Sequence, residues 1–339
     1  MAASQLCGSF PADTSEEVFR TLTQALGGEL KRIPDGETGD RHGWFTSQLR
    51  ALCAADGIEM SRVSTASGGR AFPQLRFTRP LDEIDLSDLG YLRHARDSWT
   101  VFKRLREEGS ISDDVRFQVG FPTPIAVIGA FVPPANQADF EPIYEAAVIK
   151  EVTAICEEIP HDQLAIQWDV AIETAILEES MPHWFKPGSD PFDEVVSRLV
   201  RLGDIIPSEV ELGYHLCYGY YERKHFKEPE DLHLLVRETN AIEERLGRSI
   251  TWVHMPVPVD RSDTDYFYAL KELRLTDAEL YLGLVHRQDG VEGTQKRINA
   301  ARGIVGKERF LGVATECGMG QYPRAAIGEL LAIHAAART

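Results

Sequence analysis

The stretch EVELGYHLC at 209–217 decides the fold class, because it reads as a buried β-strand whose end, with His215 and Cys217, runs into a loop. Similar short apolar stretches predict further strands at 4–10, 29–34, 115–121, 163–169, 249–255, 279–285 and 309–316. They alternate with longer stretches of helical periodicity, at 15–27, 138–158, 190–203, 229–246, 263–274, 292–304 and 323–337. Alternation of this kind indicates parallel strands joined by right-handed crossovers.

About eight such strands predict an α/β fold, a single (β/α)8 TIM barrel that spans residues 1–339. An open doubly wound sheet is the alternative, although no G-x-G-x-x-G motif follows the first strand candidate. Length alone would also allow two domains. Single barrels commonly reach this size, however, and the sequence shows no internal repeat and no long linker.

The composition narrows the class of partner. The net charge is −17, with 53 acidic and 36 basic residues, which argues against a nucleic-acid partner because phosphate binding needs clustered Lys and Arg. No apolar run is long enough to predict a membrane span, and no signal peptide is visible. Five cysteines, an odd and sparse set, favour a reducing compartment, so we expect a cytoplasmic protein. The sequence does not determine the oligomeric state.

Polar residues with binding chemistry follow one predicted strand after another. In a barrel, the carboxyl ends of the strands share one face, and that face carries the chemistry. Packing alone would not require a titratable or ligand-type residue at each strand end. We therefore expect a functional site there, built from Ser9, Glu37, Asp169, His215, Cys217, His254, His286, Glu316 and Cys317.

His215, Cys217 and Cys317 form a candidate metal site, because they place one imidazole and two thiols at the ends of two separate strands. Catalytic zinc typically takes three protein ligands and leaves one position open, whereas a zinc finger closes four ligands in short paired spacings. His254 is a possible fourth ligand, or a hydrogen-bonded pocket residue. The alternative for the two cysteines is a place in the core as small buried hydrophobic residues.

Five short motifs, in the same order, resemble the C-terminal catalytic barrel of cobalamin-independent methionine synthase. They are GSFP at 8–11, IPDGE at 33–37, IQWD at 166–169, HLCYG at 215–219 and TECG at 315–318. The resemblance implies that the last two motifs carry zinc ligands. It also implies that Glu37 and Asp169, together with Ser9, orient an amino-acid-like substrate.

The departures from that family's pattern indicate a divergent member. The strand ITWVHMP places Val253 or His254 where the family has a Glu ligand, and Ile128 lies near the position of the Trp that stacks on folate. The metal and amino-acid parts of the site are thus retained, while the folate part is not. The wider superfamily includes zinc alkyltransferases acting on other thiols. It also includes uroporphyrinogen decarboxylase, which has the barrel without the metal site.

These residues predict a zinc-dependent alkyl or methyl transferase, without folate, that activates a small thiol substrate as a zinc-bound thiolate. His286 is the candidate acid that protonates the leaving group. A lyase or hydrolase that uses a metal-bound water is one alternative, and a metal-free enzyme like uroporphyrinogen decarboxylase is another. A third is a barrel that stores or senses zinc or a thiol metabolite without turnover.

Overall fold

A parallel, curled sheet of seven strands forms the centre of the computed structural model, which describes residues 3–67, 70–219, 223–275 and 277–337. The spatial order is β1-β4-β5-β6-β7-β8-β9, which follows the chain order. The strands are β1 Arg32–Pro34, β4 Arg116–Pro122, β5 Leu164–Val170, β6 Glu211–Leu216, β7 Trp252–Pro256, β8 Glu279–Gly283 and β9 Leu311–Val313. A parallel sheet that curls in chain order is of the TIM-barrel type.

The gap between the first and last strands is bridged by Ser4, not by a full strand. Ser4 forms isolated parallel bridges to Leu30 on one side and to Val313 on the other, and the Gln5 N–H donates to the Val313 carbonyl at 3.0 Å. The expected strand at 4–10 is therefore reduced to these contacts, and the barrel is not fully closed by regular strands. Gly8, with φ +136°, turns the backbone out of strand geometry soon after the bridges.

The predicted helices are confirmed where the apolar periodicity is clear, as in α5, which spans 22 residues. The helices in the described part of the chain are α1 Ser15–Leu26, α2 Thr46–Ala54, α3 Tyr91–Glu107, α4 Pro124–Phe131, α5 Gln137–Glu158, α6 Ile172–Leu177, α7 Pro191–Asp204, α8 His233–Arg245, α9 Thr264–Phe267, α10 Gly290–Val305 and α11 Ile327–Ala336. Sequence analysis did not predict α2, α3, α4 and α6. The nearly uniform burial of α4 explains one omission, because a helix covered on almost every side has no polar face to reveal its period.

An antiparallel hairpin, β2 Ile58–Ser67 and β3 Arg70–Phe77, lies between β1 and α3 in the chain and is outside the main sheet. It was not predicted either, because its two segments mix charged and apolar residues and contain no continuous apolar run. Phe72 of the hairpin packs edge-on against Phe45 at 5.7 Å between ring centroids. The hairpin thereby contributes a wall to the carboxyl end of the barrel.

Three buried glutamines form a hydrogen-bonded layer inside the barrel. The Gln5 amide donates to Gln118 Oε1 at 2.7 Å, and the Gln118 amide donates to Gln167 Oε1 at 3.3 Å. Gln167 in turn donates to the Cys7 carbonyl at 2.7 Å and to Asp169 Oδ1 at 2.8 Å. Since buried amides need hydrogen-bond partners, this layer holds the Asp169 carboxyl in one position through Gln167.

Within the described residues, no helix has both the length and the apolar composition needed to cross a membrane.

Candidate metal and substrate site

His215, Cys217 and Cys317 come together as the sequence predicts. His215 lies near the end of β6, Cys217 follows that strand, and Cys317 lies in the loop after β9. One ligand atom from each lies within 4.8 Å of the other two. The backbone holds the second residue in place, because the Cys217 N–H donates to the carbonyl of Val170 at 2.8 Å.

The donor set fits zinc, which binds thiolate sulfur and imidazole nitrogen. Nε2 of His215 is buried and has no hydrogen-bond partner among the described residues. An unpaired ring nitrogen in a buried position is costly unless a ligand completes it. The cluster therefore combines two thiols with a histidine that has one ring nitrogen without a partner.

Two thiols of the cluster, those of Cys317 and Cys7, have raised pKa values. A hydrogen bond with Cys217, together with burial, raises the pKa of the Cys317 thiol well above its usual value. Burial, followed by the charge of Cys317, likewise raises the pKa of the Cys7 thiol. A bound cation would reverse these shifts, because its charge stabilises thiolate.

His254 lies directly behind His215, on the neighbouring strand β7. The two Nδ1 atoms are 2.6 Å apart, and Nε2 of His254 lies 3.0 Å from the Thr315 carbonyl oxygen. Burial lowers the pKa of His254 to about 3. Burial, followed by the effect of His254, also lowers the pKa of His215 well below its usual value. Both rings are therefore neutral near pH 7.

Cys7 belongs to the same cluster and was missed from the sequence. Its sulfur and one ring nitrogen each from His215 and His254 lie within 4.8 Å of one another. The available signal was its position in the middle of the first strand candidate, two residues before Ser9. A thiol on the same strand as a predicted substrate residue could have been included among the candidates.

Glu37 and Asp169 are two buried carboxyl groups that line the same cavity as the thiols. Burial raises the pKa of Glu37 to about 7, with Asp35 adding to the effect and Arg41 opposing it. Burial, followed by the charge of Glu37, raises the pKa of Asp169 well above its usual value. Within the described chain, Oε2 of Glu37 is buried without a hydrogen-bond partner. A cationic group between these carboxyls would restore their charge.

The backbone around Glu37 is held in an unusual conformation. Glu37 has φ 53°, in the left-handed region that residues with a side chain rarely adopt, and its N–H donates to Asp35 Oδ1 at 3.0 Å. Arg41 donates to Asp35 Oδ2 at 2.7 Å and so braces the turn. Strain of this kind persists where the surrounding structure determines it, and it is commonest at functional sites.

Trp44 is a second residue that the sequence analysis missed. Its indole Nε1–H donates to Asp169 Oδ2 at 3.0 Å. With Gln167 on the other oxygen, both oxygens of Asp169 are held. The side chain lies in the short region between β1 and α2, where no periodic pattern marks it as functional.

Ser9 lies where two glycine loops meet. A Cβ atom on Gly8 would stand 2.7 Å from Glu37 Oε1, and one on Gly318 would collide with the Ser9 hydroxyl. The Gly320 N–H donates to the Ser9 carbonyl at 3.0 Å, which ties the two loops together. The GSFP and CGMG segments thus need glycine because they approach each other and the site closely.

His286 is not placed on the cavity surface. It is 1% exposed, its Nε2 lies 2.8 Å from the Val257 carbonyl oxygen, and its Nδ1 lies 3.7 Å from Glu316 Oε2. Burial lowers the pKa of His286, while the charge of Glu316 opposes that shift. His225 Nε2 contacts the other oxygen of Glu316 at 3.2 Å. Glu316, the neighbour of Cys317, therefore stands between two histidines.

The site opens into a cavity of about 170 Å³, enough for a small molecule. Its floor has the polar residues Ser9, Glu37, Asp169, His215 and the two cysteines Cys217 and Cys317. Its wall is apolar, and includes Trp44, Phe45, Phe72, Ile172, Met181 and Phe226. The described residues that line it include no Lys and no Arg.

The sequence matches no protein-family model and no curated protein. Solved structures do match. A B12-independent methionine synthase from Shewanella sp. W3-18-1, in complex with selenomethionine, has a TM-score of 0.64 at 15% identity over 99% of this chain and 96% of that one. The chain has the fold of the B12-independent methionine synthases.

Two further structures share this methionine synthase fold. A putative vitamin-B12-independent methionine synthase from Listeria monocytogenes has a TM-score of 0.56 at 15% identity, over 95% of this chain and 84% of that one. A methyltransferase from Methanosarcina mazei has a TM-score of 0.54 at 15% identity, over 96% and 85%. The resemblance of the five motifs is thus accompanied by similarity over the length of the barrel.

Proposed function

We propose that this chain is a zinc-dependent alkyltransferase, in the simplest case a methyltransferase, acting on a thiol without folate. One barrel unit spanning 1–339 would carry the site, and His215, Cys217 and Cys317 would hold the ion. The observation that carries the proposal is the meeting of an unpaired imidazole nitrogen and two thiols beside a buried, unpaired carboxyl. The fold shared with methionine synthases and a methyltransferase supports a reaction of this class.

Zinc bound there would supply the positive charge that lowers the pKa of a substrate thiol and keeps its sulfur nucleophilic at neutral pH. Glu37 and Asp169 would bind an ammonium group of the same substrate, since a cation is what two buried carboxyls lack. Ser9 would orient the substrate from the loop beside Glu37. An amino-acid thiol satisfies both ends of the site.

His286 would supply the proton that completes the transfer. When the alkyl group moves to the sulfur, its bond to the donor breaks and the leaving atom takes the electron pair. A proton on that atom prevents the reverse reaction. Because His286 is not on the cavity surface, its proton would have to reach the cavity by way of Glu316, which lies 3.7 Å from its Nδ1 and adjoins Cys317.

The apolar wall favours a donor or acceptor that carries an apolar group. Trp44, Phe45 and Phe72 bring three aromatic rings to this part of the cavity. A polyanionic donor would need cationic side chains, and the lining described above has none. The cavity is therefore better suited to a small alkyl donor than to a charged folate.

Metal analysis of purified protein tests the proposal. We expect about one zinc per chain in wild type and little in Cys217→Ser, because loss of one of three ligands leaves too few to retain the ion. Cys156→Ser is the matched control, since Cys156 is a buried cysteine in α5 that does not line the cavity. Equal zinc in wild type and Cys217→Ser, or no uptake by wild type, would overturn the site and favour a metal-free barrel of the uroporphyrinogen decarboxylase kind.

X-ray absorption at the zinc edge distinguishes a thiol substrate from other chemistry. Added L-homocysteine should introduce one further sulfur neighbour, and 2-mercaptoethanol, which has no ammonium group, should do so only at higher concentration. A lyase or hydrolase would convert its substrate without any thiol acceptor. Turnover that does not need a thiol would therefore replace the transferase proposal with that alternative.

A further inference from the structure

Two buried histidines on neighbouring strands form a hydrogen-bonded pair behind the thiols. His215 and His254 are register partners of β6 and β7, and their Nδ1 atoms lie 2.6 Å apart. Their side chains are 3% and 0% exposed. Only one hydrogen fits between two nitrogens at this distance, so one ring donates and the other accepts.

The Thr315 carbonyl decides which ring donates. A carbonyl oxygen only accepts, so Nε2 of His254, at 3.0 Å from it, carries a hydrogen. A doubly protonated His254 would be a buried cation facing another histidine and a carbonyl, without an anionic partner on either nitrogen. His254 is therefore neutral, its Nδ1 is bare, and the hydrogen between the rings belongs to His215.

The tautomer of His215 follows from this. With hydrogen on Nδ1, its Nε2 keeps a free lone pair, and Nε2 is the nitrogen left without a partner by the described residues. The Thr315 hydroxyl donates to the Cys317 carbonyl at 2.7 Å. One residue thus anchors both His254 and the loop that carries the second thiol.

The short contact also separates positioning from ligation. Two imidazole nitrogens on one tetrahedral zinc, each about 2.0–2.1 Å from the ion, lie about 3.3 Å apart. The observed 2.6 Å is a hydrogen-bond distance and is too short for two ligands of one ion. The group formed by Cys7, His215 and His254 therefore does not hold a metal through these two Nδ1 atoms.

We propose that His254 is a positioning residue that fixes the Nδ1–H tautomer of His215, so that Nε2 presents its lone pair to the cation site between Cys217 and Cys317. The role toward a metal rests on the proposed function. The tautomer itself is a property of the metal-free protein, and it can be measured without activity.

Long-range ¹H–¹⁵N NMR of the zinc-free, histidine-labelled full chain reads which ring nitrogens carry hydrogen. We expect hydrogen on Nδ1 of His215 and on Nε2 of His254, with assignments from His254→Asn. Adding zinc should shift Nε2 of His215 most strongly and leave both nitrogens of His254 without a metal signature. Hydrogen on Nε2 of His215 in the zinc-free protein, or zinc ligation by His254, would overturn the proposal.

Zinc affinity supplies the second readout. His254→Leu removes the acceptor and should weaken zinc binding about 10- to 100-fold, the usual effect of losing such a partner of a metal ligand. His254→Asn keeps an acceptor near the Nδ1 position and should recover most of the affinity. An equal loss of zinc affinity in His254→Asn and His254→Leu, or no loss in His254→Leu, would contradict the positioning role.

His334→Asn is the matched control, because His334 is also a fully buried histidine, hydrogen-bonded to Ser4 at 3.2 Å. This control variant should change zinc affinity less than twofold. An equal loss of affinity in His334→Asn and His254→Leu would mean that disturbing any buried histidine weakens zinc binding. If the tautomers are as expected but zinc does not bind, the proposed function fails and the tautomer assignment stands.

Discussion

The two ends of the barrel differ in whether their buried charged side chains are paired. At the amino end, the Arg32 guanidinium, 1% exposed, pairs with Glu211 and with Glu279, the latter at 2.9 Å, and lies 4.1 Å from the Trp252 ring centroid. At the carboxyl end, Glu37 keeps a buried oxygen unpaired in the described structure. Complete pairing serves stability, whereas an unpaired group keeps its binding capacity for a ligand.

The largest effect should follow from breaking the amino-end network with Arg32→Met. The change leaves Glu211 and Glu279 without their shared cation, and breaking a buried pair in this way costs about 3–5 kcal/mol. The free energy of unfolding, from urea denaturation, should fall by that amount. Zinc content of the folded protein should not change.

Lys31→Met is the matched control for that variant, since Lys31 contacts the same Glu279 but its side chain is 47% exposed. An exposed pair contributes about 0–1 kcal/mol. Equal losses of stability from the two variants would show that the amino end does not depend on a buried network.

At the carboxyl end, Glu37→Gln should weaken substrate binding and should not lower stability as Arg32→Met does. Affinity for L-homocysteine should fall about 10- to 100-fold, because a charge-assisted hydrogen bond contributes about 1.5–3 kcal/mol. Binding of 2-mercaptoethanol, which has no ammonium group, should change little. Isothermal titration calorimetry of both ligands checks this, and equal losses for both would remove the ammonium assignment.

The pH dependence of the same variant sharpens the result. Since the pKa of Glu37 is raised to about 7, wild-type affinity should increase between pH 6 and pH 8 as the carboxylate forms. The variant should lose this rise. A carboxyl with a raised folded pKa loses its contribution to stability as pH increases through that value, so above pH 7 the variant should be at least as stable as wild type.

Glu173 and Glu238 test whether unpaired buried carboxyls are confined to the site. Both are 0% exposed, and in the described ranges the two carboxyl oxygens of Glu238 have no hydrogen-bond partner. Burial raises the pKa of Glu173 to about 7, and burial with the charge of Glu173 raises that of Glu238 to about 8. Away from the cavity, they show what such groups do to stability alone.

Because both folded pKa values are raised, these two groups stabilise the fold at low pH and lose that contribution as pH increases toward 8. Between about pH 5 and pH 7, where both carboxyls are ionised in the unfolded chain and protonated in the fold, each should lower the free energy of unfolding by about 1.4 kcal/mol per pH unit. Glu238→Gln should make the decline shallower, as measured by urea denaturation at several pH values. A slope identical to wild type would mean that Glu238 does not titrate there.

Trp44→Phe should have the smallest effect. It removes the indole donor to Asp169 but keeps an aromatic ring against Phe45, whose centroid lies 4.6 Å away. Loss of one hydrogen bond costs about 1 kcal/mol, so affinity for L-homocysteine should fall roughly fivefold. Trp99→Phe, at a tryptophan that stacks on Phe102 outside the cavity, should leave affinity unchanged.

The sequence was most informative where the chain is regular. The strand predicted at 163–169 is observed at Leu164–Val170, and the one at 115–121 is observed at Arg116–Pro122, because continuous apolar runs bounded by polar residues mark buried strands. The convergence of His215, Cys217 and Cys317 was also predicted, since all parallel strands deliver their ends to one face.

The remainder depended on contacts that no local pattern encodes. Cys7 reaches the site only because Ser4 joins the two edges of the sheet, so its neighbours are about 200 to 300 positions away in the chain. The choice between ligand and hydrogen-bonded residue for His254 turns on a 2.6 Å separation. The path of the backbone, and not the residue type, determines both the position of Cys7 and the role of His254.

The three buried glutamines each have a fixed donor side and a fixed acceptor side. Gln167 turns its amino group toward the oxygen of Asp169, which leaves its own oxygen to accept from Gln5 and Gln118. The Leu6 and Cys7 carbonyls also accept from these amides, so the backbone and Asp169 together fix the donor and acceptor side of each glutamine. If Asn replaced Asp169, the layer would therefore keep its orientation, because backbone carbonyls cannot exchange acceptor for donor roles.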